Sequence, residues 1–264
     1  MPEPAIVTAS VLVIGNEILS GRTKDANLNY LATELNAIGI RLTEARVVAD
    51  VPEAIIKAVN ELRAAHDYVF TTGGIGPTHD DITAECVARA FGVRLIKDPR
   101  AVKLLTDHYG EANLTEARLR MAHLPEGAAI VDNPISTAPG FQIGNVFVLA
   151  GVPAICRAMF DGLKGRLKVG DKMLSATVSA FVGEGVIAKG LGALQDRYRQ
   201  LEIGSYPFFR QGRFGASFVL RGTDAAAIRA AAEELRGVIR GLGAEPIEGE
   251  PPEPAPADAL AKLT

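Results

Sequence analysis

Short, nearly continuous apolar runs alternate along the chain with longer segments in which apolar residues recur at steps of three and four. Residues 5–14 form the first run; they are rich in β-branched residues and are followed by Gly15. This pattern is typical of a strand buried on both faces of a sheet. The next segment has apolar residues on one helical face, so we expect an amphipathic helix over residues 26–38 with Asp25 as its N-cap.

This alternation continues to about residue 163. The patterns predict strands at 40–48, 68–72, 128–131, 140–143 and 145–149, and helices at 51–64, 80–90, 98–109, 114–121 and 153–163. Strands that alternate with helices in this way form right-handed βαβ units with parallel strands, and Gly144-Asn145 predicts a tight hairpin between the last two strands. We therefore expect an α/β domain over residues 1–166, in which a mostly parallel sheet carries helices on both faces.

The pattern changes after this domain to a smaller alternating unit. It predicts strands at 173–182, 202–207 and 214–221, and helices at 186–200 and 224–240. This βαββα order indicates a small α+β domain over residues 167–245. The remaining segment, 246–264, is rich in proline and glutamate, and we expect it to be a disordered tail.

The chain has 28 basic and 31 acidic side chains in 264 residues, so its formal net charge is −3. Such a chain has no general positive field, and we expect neither nucleic acid nor a membrane as a partner. With Cys86 and Cys156 as the only cysteines, a disulfide framework and a cysteine zinc site are excluded. Neither a secretory signal nor an apolar run of the roughly 18 residues that span a bilayer is evident, so we expect a cytoplasmic protein.

The strongest candidate for chemistry is the segment Thr71-Thr72-Gly73-Gly74-Ile75-Gly76-Pro77-Thr78-His79-Asp80-Asp81-Ile82-Thr83. It follows a predicted strand and opens a predicted helix, at the edge of a parallel sheet where ligands bind. Its glycines let backbone N–H groups approach an oxyanion, and the helix N-terminus adds partial positive charge. The segment matches neither G-x-G-x-x-G nor the P-loop. We expect it to bind a phosphate group.

Two adjacent carboxylates stand beside this expected phosphate. Asp80 and Asp81 would repel the ligand unless one of them caps the helix and another works with a divalent cation, so a metal-assisted nucleotide reaction would explain both. In the alternative interpretation, Thr78 or Asp80 is the N-cap of the following helix and no ligand binds. His79, in the same segment, could touch a phosphate or act as an acid.

Other carboxylates are expected at the same edge of the sheet. Asp50 follows strand 40–48 and could be a ligand residue, and Glu17 follows the first strand and could reach a metal or a ribose. The alternative is local: Asp50 and Glu53 can form a capped helix start, and Glu17 can be solvated. The remaining histidines are expected in solvated or core positions; they are His66, His108 and His123.

The glycine-rich segment resembles the signature of the MoaB/MogA-like molybdopterin-binding domain. Further blocks of that family occur in the same order: Gly15 to Gly21, Asp25 to Asn27, Val47 to Asp50, Thr137 to Gly140 and Leu149 to Pro153. The residues of the glycine-rich segment and those from Asn145 to Pro153 are similar to the amino-terminal domain of competence/damage-inducible protein A (CinA) and to the molybdopterin-binding-like domain of FAD synthases. Residues 168–243 resemble the KH-like second domain of the CinA family; their one G-x-x-G lies between predicted strands, so RNA binding is not expected.

The resemblance implies a divalent-metal-dependent pyrophosphatase that acts on an ADP-containing nucleotide, such as ADP-ribose or FAD, and releases AMP. Asp50 and Asp81 would be the catalytic residues, and a Mg²⁺, Mn²⁺ or Co²⁺ ion would be held by Asp80, Asp81, Asp50 and Glu17. The residues expected to bind the phosphate or nucleotide are Gly73, Gly74, Gly76, Thr78, His79, Thr137, Gly151 and Pro153.

Two other functions stay open at the level of sequence. One is non-catalytic binding of molybdopterin or a nucleotide, and the other is an enzyme like the molybdopterin adenylyltransferases, which would need ATP and molybdopterin. In every case the partner is a small molecule, and the resemblance also implies a homo-oligomer.

Overall fold

The structure, a computed structural model, describes residues 6–210 and 212–251. The chain divides into two compact units between Asp171 and Lys172, whereas the sequence pattern places the boundary a few residues earlier, after residue 166. Of the predicted first strand, residue 5 lies outside the described residues.

The first unit alternates strands and helices. Its strands are β1 (Val7–Ile14), β2 (Ile40–Val48), β3 (Tyr68–Thr72), β4 (Leu95–Lys97), β5 (His123–Pro125), β6 (Ala129–Val131), β7 (Gly140–Ile143) and β8 (Val146–Leu149). Its helices are α1 (Asn16–Leu19), α2 (Asn27–Ala37), α3 (Pro52–Ala65), α4 (Thr83–Phe91), α5 (Pro99–Tyr109), α6 (Glu116–Arg120) and α7 (Pro153–Leu163).

Six of these strands form one mixed sheet in the order β2-β1-β3-β8-β7-β6. β2, β1, β3 and β8 are mutually parallel, and β7 turns back antiparallel to β8 through the predicted hairpin. β4 and β5 pair antiparallel in a separate two-stranded sheet. The expected α/β fold with a mostly parallel sheet is confirmed.

Helices cover both faces of this sheet, and β1 shows why its sequence is continuously apolar. Leu12 and Ile14 belong to the core under α3, α4 and α5, whereas Val11 and Val13 belong to the core under α2 and α7. All four side chains are at most 3% exposed. Complete burial of such a side chain stabilises a fold by about 1.5–3 kcal/mol, so a polar residue on either face of β1 would weaken one of the two cores.

The helix after the glycine-rich segment begins at Thr83, three residues later than predicted, because the intervening residues close a loop of their own. At the start of α2, the N-cap is Ala26 and not Asp25 as predicted, although the Asp25 carboxylate still accepts a hydrogen bond from the Leu28 N–H (2.8 Å). The pattern missed α1, β4 and β5, because three or four residues are too few to display a period.

The second unit contains β9 (Leu174–Ala180), α8 (Glu184–Arg197), β10 (Glu202–Arg210), β11 (Arg213–Gly222), α9 (Ala225–Gly241) and β12 (Ile247–Glu248). Its antiparallel sheet has the order β10-β11-β9-β12. A core that includes Val178, Phe218 and Leu235 lies between this sheet and its two helices. The predicted βαββα order is therefore present, with one strand added.

The added strand β12 corrects the expectation of disorder from residue 246. Ile247 pairs with Ser179 of β9, and the Glu248 carboxylate bonds the Arg236 guanidinium (2.7 Å). Pairing of a short strand with an open sheet edge thus orders part of a polar, proline-rich segment. The rest of the predicted tail, residues 252–264, lies outside the described residues. No described helix combines the length and the apolar character that crossing a bilayer requires.

Candidate functional site

The loops after four parallel strands meet at one edge of the large sheet. The Gly15 N–H after β1 donates to Val48 O of β2 (3.1 Å), and the Gly73 N–H after β3 donates to Leu149 O of β8 (3.3 Å). These bonds bring the loops of β1, β2, β3 and β8 together, which is the edge where the sequence predicts its ligand.

The glycine-rich loop, defined here as residues 73–82, can be built only with glycine at its first two positions. Gly73 has φ 100° and a Cβ there would lie 2.2 Å from Ile14 O; Gly74 has φ 68° and a Cβ there would lie 2.2 Å from Thr83 Oγ1. Both φ values are in the left-handed region that glycine tolerates. The Thr83 hydroxyl donates to Gly73 O and its N–H to Gly74 O, both at 3.0 Å, so α4 holds the loop against the sheet.

Three successive backbone donors of this loop are unused. The N–H groups of Gly74, Ile75 and Gly76 donate to no acceptor among the described residues. Backbone N–H groups are obligatory donors that take water or a ligand when the protein offers no acceptor. Successive free N–H groups beside glycines are the kind of donor set that binds an oxyanion.

Asp81 is the centre of the second half of the loop. Its Oδ2 accepts from the Thr78 N–H (2.8 Å) and from the Thr78 hydroxyl (2.5 Å). A Cβ on Gly76 would lie 2.7 Å from the same oxygen. The Thr78 donors, which we expected to bind phosphate, are therefore directed to Asp81.

Neither Thr78 nor Asp80 caps α4, whose N-cap is Ile82 and which has no side-chain cap. The alternative interpretation of these residues as a helix entry is therefore wrong. Asp80 is exposed, and its pKa lies below its ordinary value, first because the Thr78 side chain, whose own hydrogen bond goes to Asp81, is close to it and then because of its own backbone N–H. His79 is also exposed and lies next to it.

Asp50 links the loops after β1 and β2. Its Oδ2 accepts from the Asn16 N–H at the start of α1 (2.8 Å). The N-cap of α3 is Val51, with no side-chain cap, so the expectation of a helix start capped by Asp50 is wrong. Glu17 folds back over Gly15, where an added Cβ would lie 2.4 Å from the Glu17 carboxylate.

Two recesses flank the glycine-rich loop. The first, named here the Glu17 recess, brings together predicted residues from three loops and is lined by Glu17, Lys24, Asp25, Asn27, Thr72, Gly151 and Pro153. The Asn27 amide donates to Gly151 O (2.7 Å). Asn27 Oδ1 and Thr72 Oγ1 are buried and have no hydrogen-bond partner among the described residues, so hydrogen-bonding capacity is left over at the wall of this recess.

The second recess, named here the Arg120 cleft, is lined by the loop itself. Gly74, Gly76 and Asp81 line it together with Arg120 and His123. Its remaining lining is apolar and comprises Ile75, Ala84, Met121, Leu124, Pro139 and Phe141. Sequence reasoning missed Arg120 altogether and placed His123 in a solvated or core position, because nothing near either residue resembles a motif.

Thr137 lines neither recess. It has φ 63°, which is strained for a β-branched residue. Its N–H donates to Asn133 O (3.0 Å), and its hydroxyl lies 3.1 Å from His108 Nδ1. These contacts hold the loop between β6 and β7, and the ligand-binding role of Thr137 stays a prediction.

The predicted metal ligands do not form a complete metal site by themselves in the described part of the chain. No described group donates to Oδ1 of Asp50 or of Asp81. No group of three or more His, Cys, Asp or Glu side chains among residues 6–210 and 212–251 is placed to hold a metal. An ion at Asp50 or Asp81 would thus complete its shell with phosphate oxygens and water, as Mg²⁺ commonly does.

Neither cysteine is suited to act as a nucleophile. Both cysteines are buried and free, and burial raises the pKa of Cys86 to about 11 and that of Cys156 to about 12. Such thiols stay protonated at neutral pH and are poor nucleophiles.

Comparison with known protein families shows to which family this chain belongs. Residues 10–168 match the model of the family described as "Probable molybdopterin binding domain", which is more than half of the chain. The chain belongs to this molybdopterin-binding family. A second match, to the family described as "FAD synthase, middle domain", covers residues 172–243. The two matches together span both units.

Individual relatives agree with the family. A "Probable FAD synthase" of Caenorhabditis elegans is 30% identical over 90% of this chain and 51% of its own length. A "CinA-like protein" of Syntrophus aciditrophicus is 39% identical over 56% of this chain and 37% of its own length. The chain thus spans only part of the curated relatives that it matches.

A solved relative covers the first part of the fold. The crystal structure of CinA from Thermoplasma acidophilum, described as a protein of unknown function, is 35% identical and has a TM-score of 0.58, covering 61% of this chain and 98% of that one. The predicted resemblance to CinA-like proteins and FAD synthases is therefore confirmed.

Proposed function

We propose that this protein binds an ADP-containing nucleotide, such as ADP-ribose or FAD, and hydrolyses its pyrophosphate with a divalent metal, releasing AMP. The observation that carries the proposal is the row of three unused N–H donors at Gly74, Ile75 and Gly76, in the same loop as Asp81 and at the same sheet edge as Asp50. Donors of this kind, fixed before the ligand arrives, stabilise the negative charge of a phosphoryl group in the ground state and in the transition state.

Asp50 and Asp81 would contribute to the reaction by holding the metal ion in place. Each is already held by hydrogen bonds to one oxygen, Asp50 through the Asn16 N–H and Asp81 through Thr78, so the other oxygen of each is left to bind. A bound Mg²⁺, Mn²⁺ or Co²⁺ would polarise the bridging phosphate and lower the pKa of an attacking water. Asp80, exposed and kept ionised by its lowered pKa, would help to hold the ion.

The two recesses suit the two ends of such a nucleotide. The Glu17 recess offers carboxylates and unused oxygen acceptors, which match ribose hydroxyl groups. The Arg120 cleft is narrow, and the Arg120 guanidinium beside the loop would supply the counter-charge for a phosphate at its mouth. The Arg120 cleft is lined by Gly74, Ile75 and Gly76 themselves, and the Glu17 recess is lined by Thr72, directly before the loop.

The test is AMP release by the purified chain from ADP-ribose, FAD, NAD and ATP, with Mg²⁺, Mn²⁺ or Co²⁺ and with a chelator. We expect release from ADP-ribose or FAD that the chelator abolishes. Asp50→Asn and Asp81→Asn should each lower kcat at least about a hundredfold if the residue holds the ion. Asp196→Asn, the same change at an exposed residue of the second unit, should leave kcat unchanged.

Folding has to be measured on the same variants, because Asp81 also closes the loop. A melting temperature within a few degrees of the parent would assign the loss to chemistry. Saturable nucleotide binding without AMP under any of the metals would contradict catalysis and leave a binding protein. AMP transfer to molybdopterin from ATP would instead support the adenylyltransferase alternative.

A further inference from the structure

The Arg120 cleft contains a cation that the glycine-rich segment itself lacks. Arg120 is exposed at the end of α6, and no described carboxylate forms an ion pair with it. Other arginines of the first unit are occupied: Arg100 pairs with Asp98 (2.6 Å) and Arg94 with Glu126 (2.6 Å). The guanidinium of Arg120 is therefore free to bind an anion that enters the cleft.

The negative charge of Asp81 in this cleft makes a positively charged group necessary for binding a diphosphate. Asp81 lines the cleft beside Gly74 and Gly76, so any phosphate held by the loop lies close to a carboxylate. Three N–H donors suffice for the oxygens of one phosphate, but they carry only partial charge. A second, adjoining phosphate adds more negative charge beside Asp81 and needs a full positive charge to balance it.

We propose that Arg120 binds the second phosphate of a diphosphate whose first phosphate lies on the glycine-rich loop, and so selects diphosphates over monophosphates. This inference rests on the proposed function, because it concerns the same ligand. Arginine suits the role, since its planar fork can donate two parallel hydrogen bonds to one phosphate.

His123 is the positioning residue for Arg120. Its Nδ1 lies 3.1 Å from Leu119 O and 3.3 Å from Arg120 O. Carbonyl oxygens only accept, so Nδ1 carries the proton and donates to the last turn of α6. Through this contact His123 fixes the backbone from which the Arg120 side chain extends into the cleft.

The test compares two probes that differ by one phosphate. AMP and α,β-methylene-ADP, whose P–C–P bridge cannot be hydrolysed, are titrated calorimetrically into the full chain in buffer with Mg²⁺. We expect Arg120→Gln to weaken α,β-methylene-ADP about tenfold or more and AMP less than threefold, as loss of one charge-assisted contact requires. Arg120→Lys, which keeps the charge but loses the fork, should fall between the two.

Two further variants separate binding from folding. Arg118→Gln removes the same charge from the same helix, but the Arg118 guanidinium lies over the Tyr109 ring, 4.2 Å from its centroid, so both affinities should stay within twofold of the parent. His123→Asn retains a donor at the Nδ1 position and should bind nearly as the parent does. His123→Leu should weaken α,β-methylene-ADP more than AMP.

The outcomes distinguish this inference from the proposed function. If Arg120→Gln weakens both probes equally, or neither, the role of Arg120 is wrong even where the parent releases AMP. If the parent binds α,β-methylene-ADP through Arg120 but cleaves no ADP compound, the inference stands and the catalysis fails. If the parent binds neither probe, the inference is overturned, and the proposed function is then decided by the AMP-release assay alone. In an active enzyme, Arg120→Gln should raise KM about tenfold and change kcat less.

Discussion

At the scale of single residues, the shape of the site depends on positions where a side chain cannot be accommodated. Gly74 combines φ 68° with a close approach to Thr83, so both backbone conformation and space require glycine there. The free N–H groups follow directly from this turn, because a different path at Gly74 would redirect the next two peptide units.

Gly74→Ala should therefore destabilise the protein. A non-glycine residue in the left-handed region costs about 1–2 kcal/mol, and the added Cβ must also displace the Thr83 hydroxyl. Gly162→Ala is the matched control: Gly162 lies in α7 with nothing within 4 Å of an added Cβ, and the change should stabilise by about 0.5–1 kcal/mol. Urea denaturation of both variants measures the difference. Equal effects would show that the turn at Gly74 is not constrained.

The sequence could reveal some of the site residues and not others. Gly73 to Asp81 form one contiguous segment, and Asp50 and Glu17 follow strands whose ends must share an edge in a parallel sheet. Arg120 and His123, which lie in α6 and β5, line the same cleft as the loop. That placement depends on packing far along the chain, and no local pattern encodes it. The hydrogen bonds from Thr78 to Asp81 could not be predicted either. A threonine close to an aspartate in sequence is equally compatible with an N-cap at the start of a helix.

At the scale of elements, prediction succeeded where a pattern repeated, and the strands that it missed were all short. β1, α3 and α7 display several periods of burial, and their bounds agree with the pattern to within about two residues. β4, β5 and β12 are two or three residues long. Such strands are selected by a neighbouring edge with unsatisfied backbone groups rather than by their own sequence.

Helix α5 shows how one side chain fixes the start of an element. Asp98 is 4% exposed, and its carboxylate accepts from the Arg100 N–H (2.8 Å) and pairs with the Arg100 guanidinium (2.6 Å). The guanidinium also donates to Ala128 O (2.8 Å). The hydrogen bond from the Arg100 side chain lowers the pKa of Asp98 in the folded state.

This lowered pKa makes the contribution of Asp98 depend on pH. The stabilisation is present above the pKa of the unfolded chain, near 3.9, and is lost as pH falls through the folded pKa. At pH 7 we expect Asp98→Ala to destabilise by about 2 kcal/mol and Asp98→Asn by less, because asparagine still caps the helix. Below about pH 4 the gap between the parent and Asp98→Asn should narrow. A gap that stays constant from pH 7 to pH 3 would contradict the ion pair.

At the scale of the whole molecule, each unit has a core of its own. The cores of the first unit run from Val7 to Leu167 in sequence, and the core of the second runs from Val178 to Ile239. No described buried residue belongs to the cores of both units. The unused N–H donors, Asp50, Asp81 and Arg120 all belong to the first unit.

Residues 1–171 and 172–264 should therefore each fold as separate polypeptides with one cooperative unfolding transition. Nucleotide should raise the melting temperature of fragment 1–171 as it does that of the full chain, because a ligand stabilises only the unit that binds it. Circular dichroism and thermal denaturation of the two fragments measure this. A first fragment that unfolds without a cooperative transition would contradict an independent core.

The second fragment offers a sharper test, because its stability should depend on β12. The Ser179 hydroxyl, fully buried in β9, donates to Gly249 O (2.6 Å), and the Gly249 N–H donates to Thr177 O (3.0 Å). A fragment that ends at residue 245 loses these bonds together with the contact between Glu248 and Arg236, and it exposes the edge of β9. Each hydrogen bond contributes about 0.5–1.5 kcal/mol, so residues 172–245 should be less stable than residues 172–264 by about 2–3 kcal/mol. Equal stability of the two fragments would mean that β12 adds nothing to the sheet, and that the segment after residue 245 behaves as the disordered tail that its composition predicts.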